Sequence, residues 1–100
     1  MWAAREAERL AWLHRATEAI TQLAPEHPGL RCAILFGSVT MPGRFGPRSD
    51  IDVAVLCDTV EQESAFWKAL EAALHRDVDV RPLTGAIADT ALRSGVRVYG

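Results

Sequence analysis

The chain has 100 residues, 49% of them apolar and 24% charged, with a net charge of −2 and a pI of about 5.9. That is one small domain of ordinary globular composition, without the basic footprint of wholesale nucleic-acid binding. No apolar run approaches a membrane span and the N-terminus lacks an export segment, so a cytoplasmic protein with no membrane partner is expected. Cys32 and Cys57 have no metal-ligand spacing and are expected to be reduced thiols.

Residues 2–24 read as an amphipathic helix with Leu10, Leu13, Ile20 and Leu23 on one stripe, Trp2 extending it, and Arg5, Glu6, Glu8, Arg9 and Arg15 on the other faces. Trp12 lies off the stripe, at the core's edge or on a contact surface. Pro25 and Pro28-Gly29 end the helix. Residues 30–36 form a continuous apolar strand, expected to be buried on both faces. Gly37-Ser38 turns the chain, with a short helical turn over 38–41, and the loop MPGRFGPRS follows.

Residues 50–56 read as a second strand, with Asp50 and Asp52 on one face and Ile51, Val53 and Val55 on the other. Asp58-Thr59 supply turn and cap for a helix over 61–74, with Phe66, Leu70, Ala73 and Leu74 inward. Residues 77–83 form a third strand with Val78 and Val80 opposite Asp77, Asp79 and Arg81, and Pro82 means that the strand ends there or lies at an edge. A third helix spans 84–94, capped by Thr84 or Gly85 and stopped at Gly95, before a last strand over 96–99. The alternation predicts an α/β (α+β) architecture: a small mixed sheet of about four strands flanked by helices.

The chemistry concentrates between Ile34 and Leu56. Two carboxylates on one strand face suit a hard divalent cation such as Mg²⁺, which takes one or two carboxylates plus substrate phosphates. Asp79 supplies a third acid from another strand; if the two strands are neighbours in the sheet it can face Asp50 and Asp52, and three convergent acids suit a two-metal site. Gly37 lets a ligand approach the backbone, Ser38 can donate to a phosphate oxygen, and the helical turn adds backbone N–H groups. Arg44 and Arg48 can neutralise a triphosphate. Taken singly, each part has a blander meaning: a turn, a solvated strand end, or loop charges. Their order along the chain describes a site for a metal-bound nucleoside triphosphate.

Phe36-Gly37-Ser38, Asp50-Ile51-Asp52 and Asp79 within VDV resemble the signature of the DNA polymerase β-like nucleotidyltransferase superfamily, hG[GS] followed by [DE]h[DE] and a later acid. The length, the phrase SDIDVAVL and the ending LRSGVRVY look most like the minimal nucleotidyltransferases, the MNT antitoxins that pair with HEPN toxins. The resemblance runs from about Leu30 to Tyr99, and the leading helix also fits. It implies a polymerase β-like fold and one minimal nucleotidyltransferase domain over 1–100, with residues 1–24 as leading helix and 30–99 as catalytic core. It also implies catalytic, metal-holding Asp50, Asp52 and Asp79, with Gly37, Ser38, Arg44 and Arg48 at the nucleotide. Two Mg²⁺ ions, ATP as substrate, and AMP transfer to a tyrosine of a HEPN RNase toxin follow from it. The segment Val39–Ser49 is one residue longer than the family's usual spacing, and Val39-Thr40-Met41-Pro42 replaces its small and basic residues; a longer loop costs little. Two other readings are a small-molecule adenylyltransferase, its acceptor pocket completed by a partner or by a homo-oligomer, and a degenerate antitoxin that acts by docking alone. Direct nucleic-acid binding is not expected.

Overall fold

The computed structural model describes residues 2–100. Helix α1 (Trp2–Leu23) runs into a 3₁₀ turn at Ala24–Glu26, where Pro25 cannot extend the α-helical ladder. Strand β1 (Leu30–Phe36), a 3₁₀ turn (Gly37–Thr40), β2 (Ile51–Cys57), α2 (Val60–Leu74), β3 (Val78–Pro82), α3 (Gly85–Ser94) and β4 (Val96–Tyr99) follow. The sheet order is β3-β2-β1-β4: β1 runs antiparallel to both β2 and β4, while β2 and β3 are parallel and joined through α2. This is the mixed four-stranded α+β sheet that the sequence predicts, with Pro82 on an edge strand.

Strand alternation divides the sheet into two unequal faces. One carries Ala33, Leu35, Ile51, Val53, Val55 and Val80 and is covered by α1 and α2, through Ala16, Ile20, Phe66 and Leu70. The other carries Cys32, Ile34, Phe36 and Ala54, and only α3 packs there, through Ala91 and Ile87. From Cys32 to Phe36 β1 is therefore apolar on both faces, as a strand sandwiched between helices must be, while Arg31 is exposed and pairs with Asp58 at 2.8 Å.

The helix stripes shift by a residue or two from the expected ones. In α1 the buried positions are Arg9, Ala16 and Ile20, with Leu13 and Leu23 partly buried, while Leu10 is 53% exposed. Trp2 is also exposed, its ring lying against Gly43. Trp12 is half-buried at the core's edge. In α2 Phe66, Leu70 and Leu74 face inward, but Ala73 is exposed. Thr59 caps α2 with a reciprocal box: its hydroxyl accepts from the Gln62 N–H and the Gln62 side chain accepts from the Thr59 N–H, both at 3.1 Å. Such caps are worth about 1 kcal/mol. Gly95 stops α3 in extended backbone, and a Cβ there would come within 2.6 Å of the Ile34 side chain and 2.7 Å of the Leu35 carbonyl. Close approach to β1, not a left-handed cap, is what requires glycine.

Cys32 is buried and Cys57 half-buried, and neither forms a disulfide. Burial, then Glu63 and Asp58, push the Cys57 thiol above its usual range. No described helix is long and apolar enough to cross a membrane.

Candidate active site

Asp52 and Asp79 lie side by side at one end of the less covered sheet face, with Asp50 two residues before Asp52. Asp52 shares that face with Ala54 and lies opposite Phe36 of β1. On its other side it stands in register with Asp79 of β3, so two carboxylates occupy adjacent positions across a parallel strand pair. Asp50 precedes the strand, which begins at Ile51, and is exposed at its mouth rather than fixed within the sheet. Asp77 contributes its backbone carbonyl, which accepts from the Ile51 N–H at 3.1 Å, and so ties β3 to the start of β2. Partial burial, then Asp79 and Asp50, push the Asp52 carboxyl up to about 6, against a smaller opposing pull from Arg81. The Arg81 Nε lies 3.1 Å from both Asp79 oxygens.

Gly37 is held at φ +74, and a Cβ there would run into the Asp52 carboxylate. Both facts require glycine: left-handed backbone is strained for other residues, and the acid leaves no room. The turn that follows is a four-residue 3₁₀ turn over Gly37–Thr40, not an α-helix. It has no aligned helical dipole of consequence, so what the turn offers a phosphate is the Ser38 hydroxyl and the half-buried Gly37-Ser38 backbone. Thr40 tightens the turn by donating to the Gly37 carbonyl at 2.7 Å.

Several residues hold this region without having been singled out in the sequence. Arg9 is 7% exposed; it is ion-paired with Glu6 at 2.9 Å and donates to the Val39 carbonyl at 3.0 Å. Glu6 accepts in turn from the Gly43 N–H at 2.7 Å. The pair therefore pins α1 to both the turn and the loop. The visible signal was Arg9 itself, a charge at helical spacing from Ala16 and Ile20 on the buried stripe. Arg76, just after α2, donates to the Ser49 carbonyl through Nε at 3.0 Å and through Nη2 at 2.8 Å, and through Nη2 to the Gly46 carbonyl, also at 2.8 Å. Its guanidinium lies 4.7 Å from the Trp12 ring centroid and 4.5 Å from that of Phe45. It fixes the backbone immediately before Asp50, and no local pattern announces it.

Arg44 and Arg48 are placed differently from the other predicted residues. With Arg5 they line an open groove of about 430 Å³ along the loop, which includes Ser49 but none of Gly37, Ser38, Asp50, Asp52 or Asp79. The structure thus sets Asp52 against Gly37 and beside Asp79, and places Arg44 and Arg48 in a separate groove along the loop.

Among the described residues no three His, Cys, Asp or Glu side chains form a ready-made metal cage. The donor set nevertheless fits a hard divalent cation. Asp52 and Asp79 are neighbouring carboxylates, Asp52 being raised first by burial and then by the Asp79 charge, and a cation bound by two carboxylates completes its shell with phosphate oxygens and water.

The four-stranded mixed sheet, the glycine turn packed against Asp52 and the in-register Asp79 are what the resemblance to nucleotidyltransferases leads one to expect. The family described as "Polymerase beta, Nucleotidyltransferase" matches residues 18–100, and the chain belongs to it. Within that family it resembles the minimal nucleotidyltransferases of toxin–antitoxin pairs. It is 26% identical, with a TM-score of 0.68, to a chain of a mutant MntA–HpeT toxin–antitoxin complex; the match covers 84% of this chain and 73% of the other. A toxin–antitoxin structure with AMP-PNP gives 28% identity, a TM-score of 0.68 and the same coverage. A tri-AMPylated HEPN toxin from Shewanella oneidensis, in complex with its MNT antitoxin, gives 26% identity and a TM-score of 0.61 over 85% of this chain and 70% of that one. No curated protein matches the sequence.

Proposed function

We propose that this nucleotidyltransferase transfers AMP from ATP to a protein hydroxyl, with Mg²⁺, and that the acceptor is a tyrosine of a HEPN-type toxin which it thereby silences. The observation that carries the reading is the register of Asp52 with Asp79 beside the Gly37 turn. Similarity to an MNT antitoxin bound to its AMPylated toxin, and to a complex with AMP-PNP, supports the acceptor and the nucleotide.

In this reading Asp50 and Asp52 would hold the divalent cations at the triphosphate, and Asp79 would complete the one on the acceptor's side. When bound, such ions neutralise the triphosphate and favour ionisation of the acceptor hydroxyl. The Ser38 hydroxyl donates to a phosphate oxygen, and Gly37 leaves the backbone open to the triphosphate. Arg44 and Arg48 meet the outer phosphates from their groove. The acceptor oxygen attacks the α-phosphorus, the bond to the β-phosphate bridge breaks, and pyrophosphate leaves with that electron pair. Asp79 receives the hydroxyl proton. The chain contributes chiefly position and charge, which is most of what phosphoryl-group chemistry asks of a protein.

The test uses the purified protein in lysate of its source, with Mg²⁺ and ATP labelled on the α- or the γ-phosphate. A protein band labelled from α-labelled ATP alone, and absent with the Asp50→Asn/Asp52→Asn variant, is expected. Label arriving from the γ-phosphate would overturn nucleotidyl transfer, and no labelled protein would overturn the protein acceptor.

A further inference from the structure

Arg81 has no place in the proposed reaction, yet it sits inside the acid cluster. It lies on β3 one pleat beyond Asp79, on the same face, opposite Ala54 of β2. Ala54 is buried and uncharged, so no carboxylate faces Arg81 across the strand pair. Its guanidinium instead reaches back along its own strand and spans both Asp79 oxygens from Nε, at 3.1 Å each. This is the only ion pair Arg81 makes among the described residues. Arg81 is about half exposed and Asp79 about one-third, so the contact opens to water and can break at modest cost.

We infer that Arg81 is a built-in counter-ion which occupies the Asp79 carboxylate in the metal-free protein and yields it only when a divalent cation arrives. Two carboxylates side by side on adjacent strands repel. A guanidinium on one of them lets this end of the sheet form before any metal is present. The same contact competes with the cation, because an oxygen engaged by Arg81 has to be released before it ligates. Arg81 is thus a positioning residue that sets how much divalent cation the site needs, and Asp50 with Asp52 is the pair that takes a cation unopposed.

The inference rests on reading Asp79 as a cation ligand, and a double-mutant cycle tests the two separately. Mn²⁺ binding to the full chain is measured by electron paramagnetic resonance, without nucleotide, for wild type, Arg81→Gln, Asp79→Asn and the double variant. Arg81→Gln is expected to bind Mn²⁺ more tightly by up to about fivefold, the scale of an exposed ion pair. Glutamine for arginine in the Asp79→Asn background is expected to tighten binding clearly less, since only the weaker pull of Arg81 on Asp52 is then removed. Equal tightening in both backgrounds would mean that Arg81 acts only through its charge, and would overturn the inference. So would unchanged or weaker binding by Arg81→Gln. If Asp79→Asn binds Mn²⁺ as wild type does, the reading of Asp79 itself fails and the inference falls with it. Thermal melts of the metal-free proteins give a second readout, with Arg81→Gln expected to melt lower than wild type.

Discussion

The two faces of the sheet are built to different rules. The face under α1 and α2 is dry and continuous: Leu35, Val53 and Val55 meet Ile20, Phe66 and Leu70, all essentially inaccessible to water. The opposite face is covered only where α3 lies, and beyond Ala54 it turns abruptly to Asp52, Asp79 and Arg81. Stability is invested on the first face, so the second can carry neighbouring carboxylates at some cost. Since a single strand supplies both, β2 alternates between them: Ile51, Val53 and Val55 anchor it while Asp52 is presented. Rigid placement of the acids follows from how firmly the far side is held.

The largest expected effect comes from breaking the covered face. Phe66 is fully buried and meets His27 edge-on, with ring centroids 5.5 Å apart. Phe66→Ala is expected to cost about 4 kcal/mol through lost burial and a residual cavity. Against a total stability of roughly 5–15 kcal/mol, chemical denaturation should show a chain close to its limit. A loss below about 1 kcal/mol would mean that this face is not the main support, since cavities of this kind rarely cost so little.

A smaller effect is expected where α1 and α2 hold the loop that leads into the acids. Arg76→Ala removes three hydrogen bonds to the Gly46 and Ser49 carbonyls and the stacking on Trp12 and Phe45. The expected loss is about 2 kcal/mol, less than the sum of the contacts, because water replaces some of them. Arg76→Lys keeps the charge but not the fork that reaches both carbonyls, and should recover less than half. Denaturation of the two variants checks this, and equal recovery by lysine would show that charge alone matters.

The same comparison explains what the sequence made legible. Strand boundaries, the edge position of β3 and the Thr59 cap came from patterns within a few residues, and each corresponds to a local physical rule. The acids and the Gly37-Ser38 turn were legible because their order along the chain is itself the signal. The errors came from distance. Leu10 was placed inward because it is apolar, whereas Arg9 takes the buried position since Glu6 and the Val39 carbonyl wait for it there. Proximity in sequence could not show that Arg44 and Arg48 share a groove with Arg5 along the loop. Arg76 acts through the Gly46 and Ser49 carbonyls, about 30 residues away along the chain, which no local window relates to it.

The site face should respond in the opposite sense, and by the smallest amount. Asp52→Asn keeps the shape beside Gly37 and removes the charge, so it is expected to stabilise the metal-free protein at pH 7 while abolishing transfer. The sign follows from the direction of the shift. The Asp52 carboxyl sits at about 6 in the folded chain against an ordinary 3.8, so the folded state holds its proton more tightly than the unfolded one. Below about pH 4 both states are protonated and the penalty is absent; it grows as pH rises toward 6 and is complete above that. Because the group is partly solvated, screening reduces the effect. Thermal melts of the metal-free chain should therefore show wild type losing ground to Asp52→Asn between pH 4 and 6, and a constant gap above. A gap that instead favours wild type as pH rises would mean that the Asp52 charge is held by partners stronger than its repulsion from Asp79, and that the site face is as well satisfied as the covered one.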